Sequence, residues 1–455
     1  MYAHLNSPYA LRGWKDLPYG VTDTLRGGVR RLSAEGGALC EYLDGEIDLS
    51  LVILTPGQQK ILDEAVEKGV VSLSEHNRPI EDWQKRRESS GHFLRSIHWS
   101  ITGGCNLACK HCYMSAPHNR YADLDTSECL SIIKQFVQAN VTSVSISGGE
   151  PFTRKDFWQI VDALASEHIP VTALFTNGLL VTDDVFDALE KRNMHPEFYI
   201  SFDGLGRHEW MRGGGTEEKT LAVLKRVLEK GYRLSVETAV HSGNIDVFRD
   251  TYELMKSLGV HGWKVSSLYE SGEWTENKNE ALSLETHLAA YMDMMDLYMK
   301  DGQPMLIQLD GFFMGSAAGS RSVPYLGDMS GDPLRRHSCL FCRTQPNLLP
   351  DGRLIPCPPM NGTCVEKDMP NLLETPLVEV YSRIENNFFR LVERRAADII
   401  QLNEECRSCD YRIECKGGCR GLALLNGNGV TGRDPIACRF FKEGYRKRVY
   451  ELCGV

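Results

Sequence analysis

Between residues 97 and 300, short strand-like segments alternate with amphipathic helical segments. The predicted strands are Ile97–Thr102, Val144–Ser147, Val171–Phe175, Glu197–Phe202, Arg233–Val240 and Trp263–Ser267. The predicted helices are Thr126–Asn140, Asp156–His168, Asp183–Arg192, Thr216–Lys230, Asp246–Leu258 and Leu284–Lys300. Six successive βα units predict parallel strands joined by helical crossovers, and therefore an α/β fold. Because a closed barrel has eight such units, we expect a partial, TIM-like (β/α)6 barrel.

The pattern changes on both sides of this region. Residues 1–90 predict a small α+β unit, with strands near Tyr19–Leu32 and helices over Ser33–Leu43 and Thr55–Lys68. A polar linker follows at Glu75–Ser90. After residue 310 the helical periodicity weakens while cysteine, glycine and proline rise, which predicts a thin core unless metal clusters support it. We therefore expect domains at 1–90, 95–310 and 311–455.

Composition narrows the class of protein. The 455 residues carry a net charge of −10, which disfavours a nucleic-acid partner. No apolar segment approaches the length of a membrane span, and the first residues do not form a secretion signal, so we expect a cytoplasmic protein without a membrane partner. The 15 cysteines are an odd number in a large chain, and in a reducing compartment such clustered thiols indicate metal rather than disulfides.

The first cysteine group follows the first predicted strand. Cys105, Cys109 and Cys112 have the spacing C-x3-C-x2-C within one loop. A [4Fe–4S] cluster takes four ligands, so three thiolates would leave one iron open to another ligand. A zinc site completed by His111 or by a distant residue is the alternative, since zinc accepts three cysteines and one histidine.

Polar residues follow the next three predicted strands. The segments are Ser147-Gly148-Gly149-Glu150, Thr176-Asn177-Gly178 and Ser201-Phe202-Asp203-Gly204. In α/β folds, ligands bind at the carboxyl ends of parallel strands, where these segments would meet. Each segment alone is an ordinary turn, but their order along the chain indicates a ligand site.

The cysteine loop followed by Gly-Gly-Glu on the next strand resembles the radical S-adenosylmethionine (SAM) superfamily over residues 95–305. The resemblance implies a catalytic [4Fe–4S] cluster on the three loop cysteines, with SAM chelating the open iron.

The same resemblance implies a set of SAM contacts. Gly148, Gly149 and Glu150 would contact the methionine amine, and Ser201 would lie near the ribose. Arg212 would pair with the SAM carboxylate, although a solvated charge in the loop 212–215 is an equal alternative. His111 takes the place of the family's aromatic residue before the third cysteine.

The C-terminal region contains Cys406-x2-Cys409-x5-Cys415-x3-Cys419 with Cys438 further on, and Gly352-x4-Cys357 upstream. These spacings resemble the SPASM domain, which carries two auxiliary [4Fe–4S] clusters and would bring the total to three. The resemblance implies one cluster on Cys406, Cys409, Cys415 and Cys438. It implies another on Cys339, Cys357 and Cys419, with Cys342 as the fourth ligand and Cys364 or an open site as rivals. A structural zinc ribbon is the alternative for this region. Cys40 and Cys129 lie among apolar residues and are predicted to be core residues.

The N-terminal unit looks like the winged-helix element that binds leader peptides in peptide-maturing enzymes. Such a unit captures an extended peptide by strand addition. Residues 1–33 carry five basic and two acidic side chains, a local +3 that suits an acidic or amphipathic leader. A structural cap and a DNA-binding winged helix are the alternatives.

Together these features predict a radical SAM oxidoreductase that modifies a ribosomal precursor peptide. Cross-linking through a thioether or carbon–carbon bond is the expected outcome, with epimerisation left open and a flavodoxin or ferredoxin as electron donor. A sulfatase-activating enzyme is the first alternative, but Pro358 follows Cys357 where that family carries an acidic base. A non-catalytic iron–sulfur carrier is the second, and it has no need of a SAM motif. Asp203, Glu237 and His241 lie near strand ends, but the sequence identifies no general base.

Overall fold

In the computed structural model of the chain, the N-terminal unit combines two small sheets with two helices. The structure describes residues 1–118, 120–268, 270–310, 312–315, 323–324, 332–383 and 385–454. The strands are β1 (Tyr2–Leu5), β2 (Tyr9–Trp14), β3 (Leu17–Asp23), β4 (Val29–Arg31), β5 (Asp44–Asp48), β6 (Val71–Ser74) and β7 (Arg87–Glu88). The helices are α1 (Ala34–Leu39) and α2 (Pro56–Glu67). The sheets have the orders β5-β1-β6 and β4-β3-β2-β7, which form the predicted α+β unit.

The polar segment that follows this unit is packed against its neighbours. The buried side chain of Gln84 donates to the carbonyls of Leu5 and Tyr9. Trp83 stacks on His168 with ring centroids 4.1 Å apart, and Arg87 Nε donates to Asn140 Oδ1 at 2.7 Å. The expected linker is therefore part of the contact between the N-terminal unit and the central sheet.

The central region begins with β8 and alternates strands and helices as far as β14. The strands are β8 (Ser96–Ser100), β9 (Ser143–Ser147), β10 (Val171–Thr176), β11 (Glu197–Ser201), β12 (Leu234–Val240), β13 (Gly262–Ser267) and β14 (Leu306–Leu309). The helices are α3 (Thr126–Gln138), α4 (Phe157–Ser166), α5 (Asp183–Lys191), α6 (His208–Arg212), α7 (Glu217–Glu229), α8 (Phe248–Leu258) and α9 (Leu284–Lys300). From β8 to β14, every pair of consecutive strands is parallel, which confirms the α/β prediction.

The six predicted strands and six predicted helices are all present, and the sheet extends beyond them. β14 has four residues, too few for a periodic pattern, and it adds a seventh parallel strand after α9. Asp125 and Glu128 form a reciprocal capping box that fixes the start of α3 where the sequence placed it. No closure of the sheet occurs among the described residues, so it is open, as expected from the number of units.

The C-terminal region adds strands to both edges of the central sheet. These are β15 (Phe313–Gly315) and β16 (Val323–Pro324) at one edge, and β17 (Asn347–Leu348) and β18 (Leu354–Ile355) at the other. Its helices are α10 (Leu340–Thr344), α11 (Leu377–Val380), α12 (Asn387–Val392), α13 (Ala396–Leu402), α14 (Glu404–Arg407), α15 (Arg412–Cys415), α16 (Arg420–Leu425), α17 (Pro435–Lys442) and α18 (Tyr445–Cys453).

The apolar core of this region is continuous with the core of the central sheet. Leu348, Phe388 and Phe440 belong to the same buried cluster as Trp99 and Ile146. The core of this region is therefore larger than the sequence pattern indicated, because short helices that lack clear periodicity still pack on the sheet. Cys129 is buried in this cluster and Cys40 in the N-terminal core, as predicted. None of the described helices is both long and apolar enough to span a bilayer.

Candidate active site

The loop after β8 carries the first three site cysteines. All three are free thiols and half-buried. The backbone N–H of Leu107 lies 3.4 Å from Cys105 Sγ, and that of Ala116 lies 3.5 Å from Cys112 Sγ. Such N–H contacts to sulfur are typical of cluster thiolates, so the loop fits an iron–sulfur cluster. Burial raises the pKa of the Cys105 thiol to about 11, so metal binding there must displace a proton.

The Gly-Gly-Glu segment after β9 is hydrogen-bonded to the start of the cysteine loop. Gly149 N donates to Thr102 O at 2.8 Å, and Glu150 N donates to Gly104 O at 2.9 Å. A Cβ atom at Gly149 would lie 2.3 Å from Gly104 O, closer than real contacts allow. The two segments therefore pack backbone to backbone, which requires glycine at this position.

Glu150 is fully buried, and its carboxylate joins β9 to β10. It accepts hydrogen bonds from Thr176 Oγ1 at 2.9 Å and from the backbone N–H of Asn177 at 2.8 Å. Asn177 in turn donates to Asn106 Oδ1 in the cysteine loop at 2.7 Å. The carboxylate therefore orients the residues that surround Cys105, while its predicted contact with SAM remains a prediction.

The titration of Glu150 predicts a measurable pH dependence. Burial raises its pKa from 4.5 to about 7 despite these hydrogen bonds. Because the unfolded carboxyl ionises near pH 4.5, the folded protein loses stability as the pH rises towards 7, by about 3 kcal/mol. We expect the stability of Glu150→Gln relative to the wild type to increase between pH 5.5 and 8 in anaerobic unfolding experiments. Parallel pH curves for the two proteins would contradict this.

Arg212 forms a buried ion pair beside the loop. Its Nε donates to Asp203 Oδ2 at 2.6 Å, and both side chains are buried, so the solvated alternative is wrong. Its Nη1 lies 3.9 Å from Cys109 Sγ, and its Nη2 lies 3.2 Å from His111 Nε2. Burial alone would raise the pKa of Asp203, but Arg212 holds it at about 2. A fixed positive charge therefore faces the loop, which suits an anionic ligand.

His111 is neutral and presents a buried donor. Burial and the charge of Arg212 lower its pKa to about 3. Since Arg212 donates to Nε2, the ring proton is on Nδ1, which is buried without a hydrogen-bond partner among the described residues. An orphaned buried donor beside the cysteines indicates that a ligand completes the site.

The rings of His241, Trp274 and Trp210 form a group at the end of β12 that the sequence motifs did not indicate. His241 Nδ1 accepts from Gly243 N at 3.0 Å, so its proton is on Nε2. Both His241 Nε2 and Trp274 Nε1 are buried without a partner within the described ranges, and their rings are 6.1 Å apart. Trp210 stacks on His241 at 4.8 Å and lies 3.8 Å from Lys110 Nζ. Only the place of His241 after a strand could have drawn attention to this group.

The remaining strand-end candidates are placed as follows. Ser201 ends β11 half-buried and is in register with Glu237 on β12. Glu237 forms an ion pair with Lys264 on β13 at 2.6 Å. Asp203 and Glu237 are thus both paired with cations, and neither is marked as a general base by its geometry.

Four C-terminal cysteines form the first quartet: Cys339, Cys342, Cys357 and Cys419. Cys342 is hydrogen-bonded to Cys339, which lowers its pKa, and to Cys357, which raises it; with burial the pKa lies well above the ordinary thiol value. Cys419 is half-buried near Cys339, and its pKa is raised to about 11 mainly by desolvation of the thiol. Cys364, the rival ligand, is exposed. The structure thus brings Cys342 rather than Cys364 to the other three.

The second quartet is Cys406, Cys409, Cys415 and Cys438, and all four line one pocket. The pocket is also lined by Arg412, Arg433 and Lys442, which would balance thiolate charge. Among the described residues, no three His, Cys, Asp or Glu side chains are arranged to hold a single metal ion. A [4Fe–4S] cluster takes one thiolate on each iron, so its thiols surround a volume instead.

Comparisons with known proteins match the central region of the chain to one family. Residues 99–255 match the family described as the Radical SAM superfamily. The AdoMet-dependent heme synthase of Methanosarcina barkeri is 27% identical, covering 75% of this chain and 95% of the relative. The mycofactocin maturase MftC of Mycolicibacterium smegmatis is 26% identical, covering 74% of this chain and 81% of the relative.

Solved structures share the fold at low sequence identity. Streptococcus suis SuiB bound to the precursor peptide SuiA has a TM-score of 0.66 at 14% identity, covering 96% of this chain and 100% of that one. Native anSMEcpe with bound AdoMet has a TM-score of 0.57 at 18% identity, covering 79% of this chain and 99% of that one. Residues 99–255 therefore form a radical SAM domain, in agreement with the α/β fold and the cysteine loop, and such a domain implies a [4Fe–4S] cluster and SAM as cofactors.

Proposed function

We propose that this enzyme matures a ribosomally made precursor peptide by removing hydrogen from it, with formation of an intramolecular thioether or carbon–carbon bond. The observation that carries the proposal is a groove in the N-terminal unit, on the same chain as a radical SAM domain. The names of the relatives support it, because they include the maturase MftC and the PqqA peptide cyclase of Gluconobacter oxydans. The similarity to SuiB extends over the N-terminal unit as well.

The groove of the N-terminal unit has a volume of about 390 Å³ and lies between β4 and the two helices. Leu32, Leu39 and Ile61 are among the apolar side chains that line it. β4 pairs with β3 on one side, and within the described residues no strand covers its other side. An extended leader peptide can add there as a strand, with its apolar side chains in the groove.

Two arginines on β4 supply the positive charges of the groove, whose lining also includes the carboxylates of Asp23 and Glu64. Arg30 and Arg31 are exposed and line the groove. We expect Arg30→Glu/Arg31→Glu to weaken binding of an acidic leader peptide about tenfold or more, because it reverses two charges beside the peptide. Fluorescence anisotropy with a labelled peptide measures this. Lys60→Glu, on the exposed face of α2, is the matched control and should change affinity little. Equal losses in both variants would contradict the groove assignment.

The cluster ligands follow the grouping of the thiols. Cys105, Cys109 and Cys112 would hold the catalytic [4Fe–4S] cluster, and the first and second quartets would hold two auxiliary clusters, three in all. The domains would be 1–90 for leader recognition, 95–310 for the radical SAM core and 311–455 for the auxiliary clusters. When loaded, the catalytic cluster and SAM supply the one-electron chemistry that removes hydrogen from an unactivated carbon.

The chain's own residues would bind and orient SAM. Arg212 places a cation for the SAM carboxylate and is itself oriented by Asp203. Gly148 and Gly149 allow close approach of the backbone, and Glu150 keeps the two loops in register. His111 offers its Nδ1–H, and Ser201 lies at the neighbouring strand end. A flavodoxin or ferredoxin would supply electrons.

A sulfatase-activating function has less support. Pro358 follows Cys357 and begins a short helical turn, so that position offers no carboxylate to accept a proton.

The function is tested with anaerobically reconstituted enzyme, SAM, a reductant and the short peptides encoded next to the gene. Mass spectrometry is expected to find one peptide lighter by two hydrogens, and the change should be absent with Cys105→Ala. A peptide whose mass is unchanged in ordinary water but rises by one deuterium in heavy water would instead identify an epimerase. A peptide that is still modified by the Cys105→Ala variant would contradict the proposal.

A further inference from the structure

The guanidinium of Arg343 joins three parts of the chain next to a cysteine of the first quartet. Arg343 follows Cys342 in α10 and is only 2% exposed. Its Nη2 donates to Asp16 Oδ2 at 2.8 Å, its Nη1 to Phe93 O, and its Nε to Glu393 Oε1. A buried cation is tolerated only when it is paired and hydrogen-bonded, so these partners hold the guanidinium in one orientation.

Asp16 belongs to the N-terminal unit, in the turn between β2 and β3. Besides Arg343, it accepts the backbone N–H of Phe93 at 2.5 Å and lies 3.4 Å from His92 Nδ1. The turn is held by apolar contacts too, since Trp14 meets Phe93 edge to face at 5.0 Å. The β2–β3 turn therefore has a defined position against the residues that lead into the central sheet.

The same network reaches both cysteines of the Cys339–Cys342 pair. Tyr381 Oη donates to Arg343 O at 3.1 Å, which fixes the backbone directly after Cys342. Glu393 lies 3.2 Å from His337 Nε2, two residues before Cys339. Because α10 has only five residues, a shift of Arg343 must move Cys342 with it.

We infer that Asp16, acting through Arg343, is a positioning residue for Cys342 and Cys339, so that the N-terminal unit sets the surroundings of the group held by the first quartet. The inference rests on the proposed function in one respect, namely that the first quartet holds an auxiliary iron–sulfur cluster. It adds a physical connection between the unit proposed to bind the leader and that cluster. Any movement of the β2–β3 turn would then shift Arg343 and change the position of Cys342 at the cluster.

The test compares the electron paramagnetic resonance spectra and midpoint potentials of reconstituted full-length proteins. Asp16→Asn removes a negative charge and loosens Arg343, so one auxiliary signal should change shape and shift to higher potential at unchanged iron content. Arg343→Lys keeps the charge but lacks the planar guanidinium that reaches all three acceptors at once, so the same signal should change shape. Asp63→Asn makes the same charge change on α2, where the carboxylate contacts Gln59, and should leave every signal unchanged.

The outcomes separate this inference from the function on which it rests. The Cys342→Ala variant identifies the signal of the first quartet by its loss. Spectra of Asp16→Asn that match the wild type would overturn the inference and leave the proposed clusters intact. If Cys342→Ala loses no signal and no iron, the first quartet holds no cluster. The positioning role of Asp16 and the proposed auxiliary cluster then both fail. Should Arg343→Lys not fold, Asp16→Asn decides, since the Asp16 side chain is 38% exposed.

Discussion

Arg212→Met is expected to lower the free energy of unfolding by about 3–5 kcal/mol and to abolish SAM binding. The stability loss follows because Asp203 would remain fully buried without its cation. The binding loss follows because the guanidinium is the cation proposed to meet the SAM carboxylate. Anaerobic denaturation and equilibrium dialysis with labelled SAM measure the two effects.

The double variant Arg212→Met/Asp203→Asn separates these effects. An amide at position 203 removes the uncompensated charge and can still accept from Ala239 N, as Asp203 does at 2.9 Å. We expect most of the stability to return while SAM binding stays lost. Recovery of SAM binding in the double variant would show that Arg212 acts only as the partner of Asp203.

Cys342→Ala is expected to remove about a third of the iron, that is, one [4Fe–4S] cluster of three. Cys364→Ala is the matched control, because its thiol is exposed and should leave the iron content unchanged. The difference follows from the hydrogen bonds that join Cys342 to Cys339 and Cys357. Iron analysis and absorption spectra of the reconstituted proteins measure it. A larger loss from Cys364→Ala would reverse the assignment of the fourth ligand.

The sequence predicted the central fold well because its helices are long and strongly periodic. α9 begins and ends at the predicted residues, and the capping box of α3 is visible in the sequence. β14 and β17 were missed because strands of four and two residues carry no pattern of their own. The continuous C-terminal core was missed for the same reason.

The parts of the site that depend on intervals between cysteines could be predicted from the sequence. The parts that depend on contacts between distant side chains could not. The cysteine loop and both quartets follow from intervals along the chain together with a family resemblance. The pairing of Arg212 with Asp203, the neutral His111 and the partners of Arg343 depend on side chains from separate elements. Arg343 lies 327 residues from Asp16, and no local pattern relates two such positions.

Removal of hydrogen from a peptide is tested by following the transfer of deuterium from the peptide to the product of SAM cleavage. The precursor peptide would be made with deuterium at its carbon positions and incubated anaerobically with enzyme, SAM and reductant. We expect deuterium in the 5′-deoxyadenosine formed from SAM, dependent on the peptide and absent with Cys105→Ala. Rapid formation of unlabelled 5′-deoxyadenosine beside a modified peptide would contradict it.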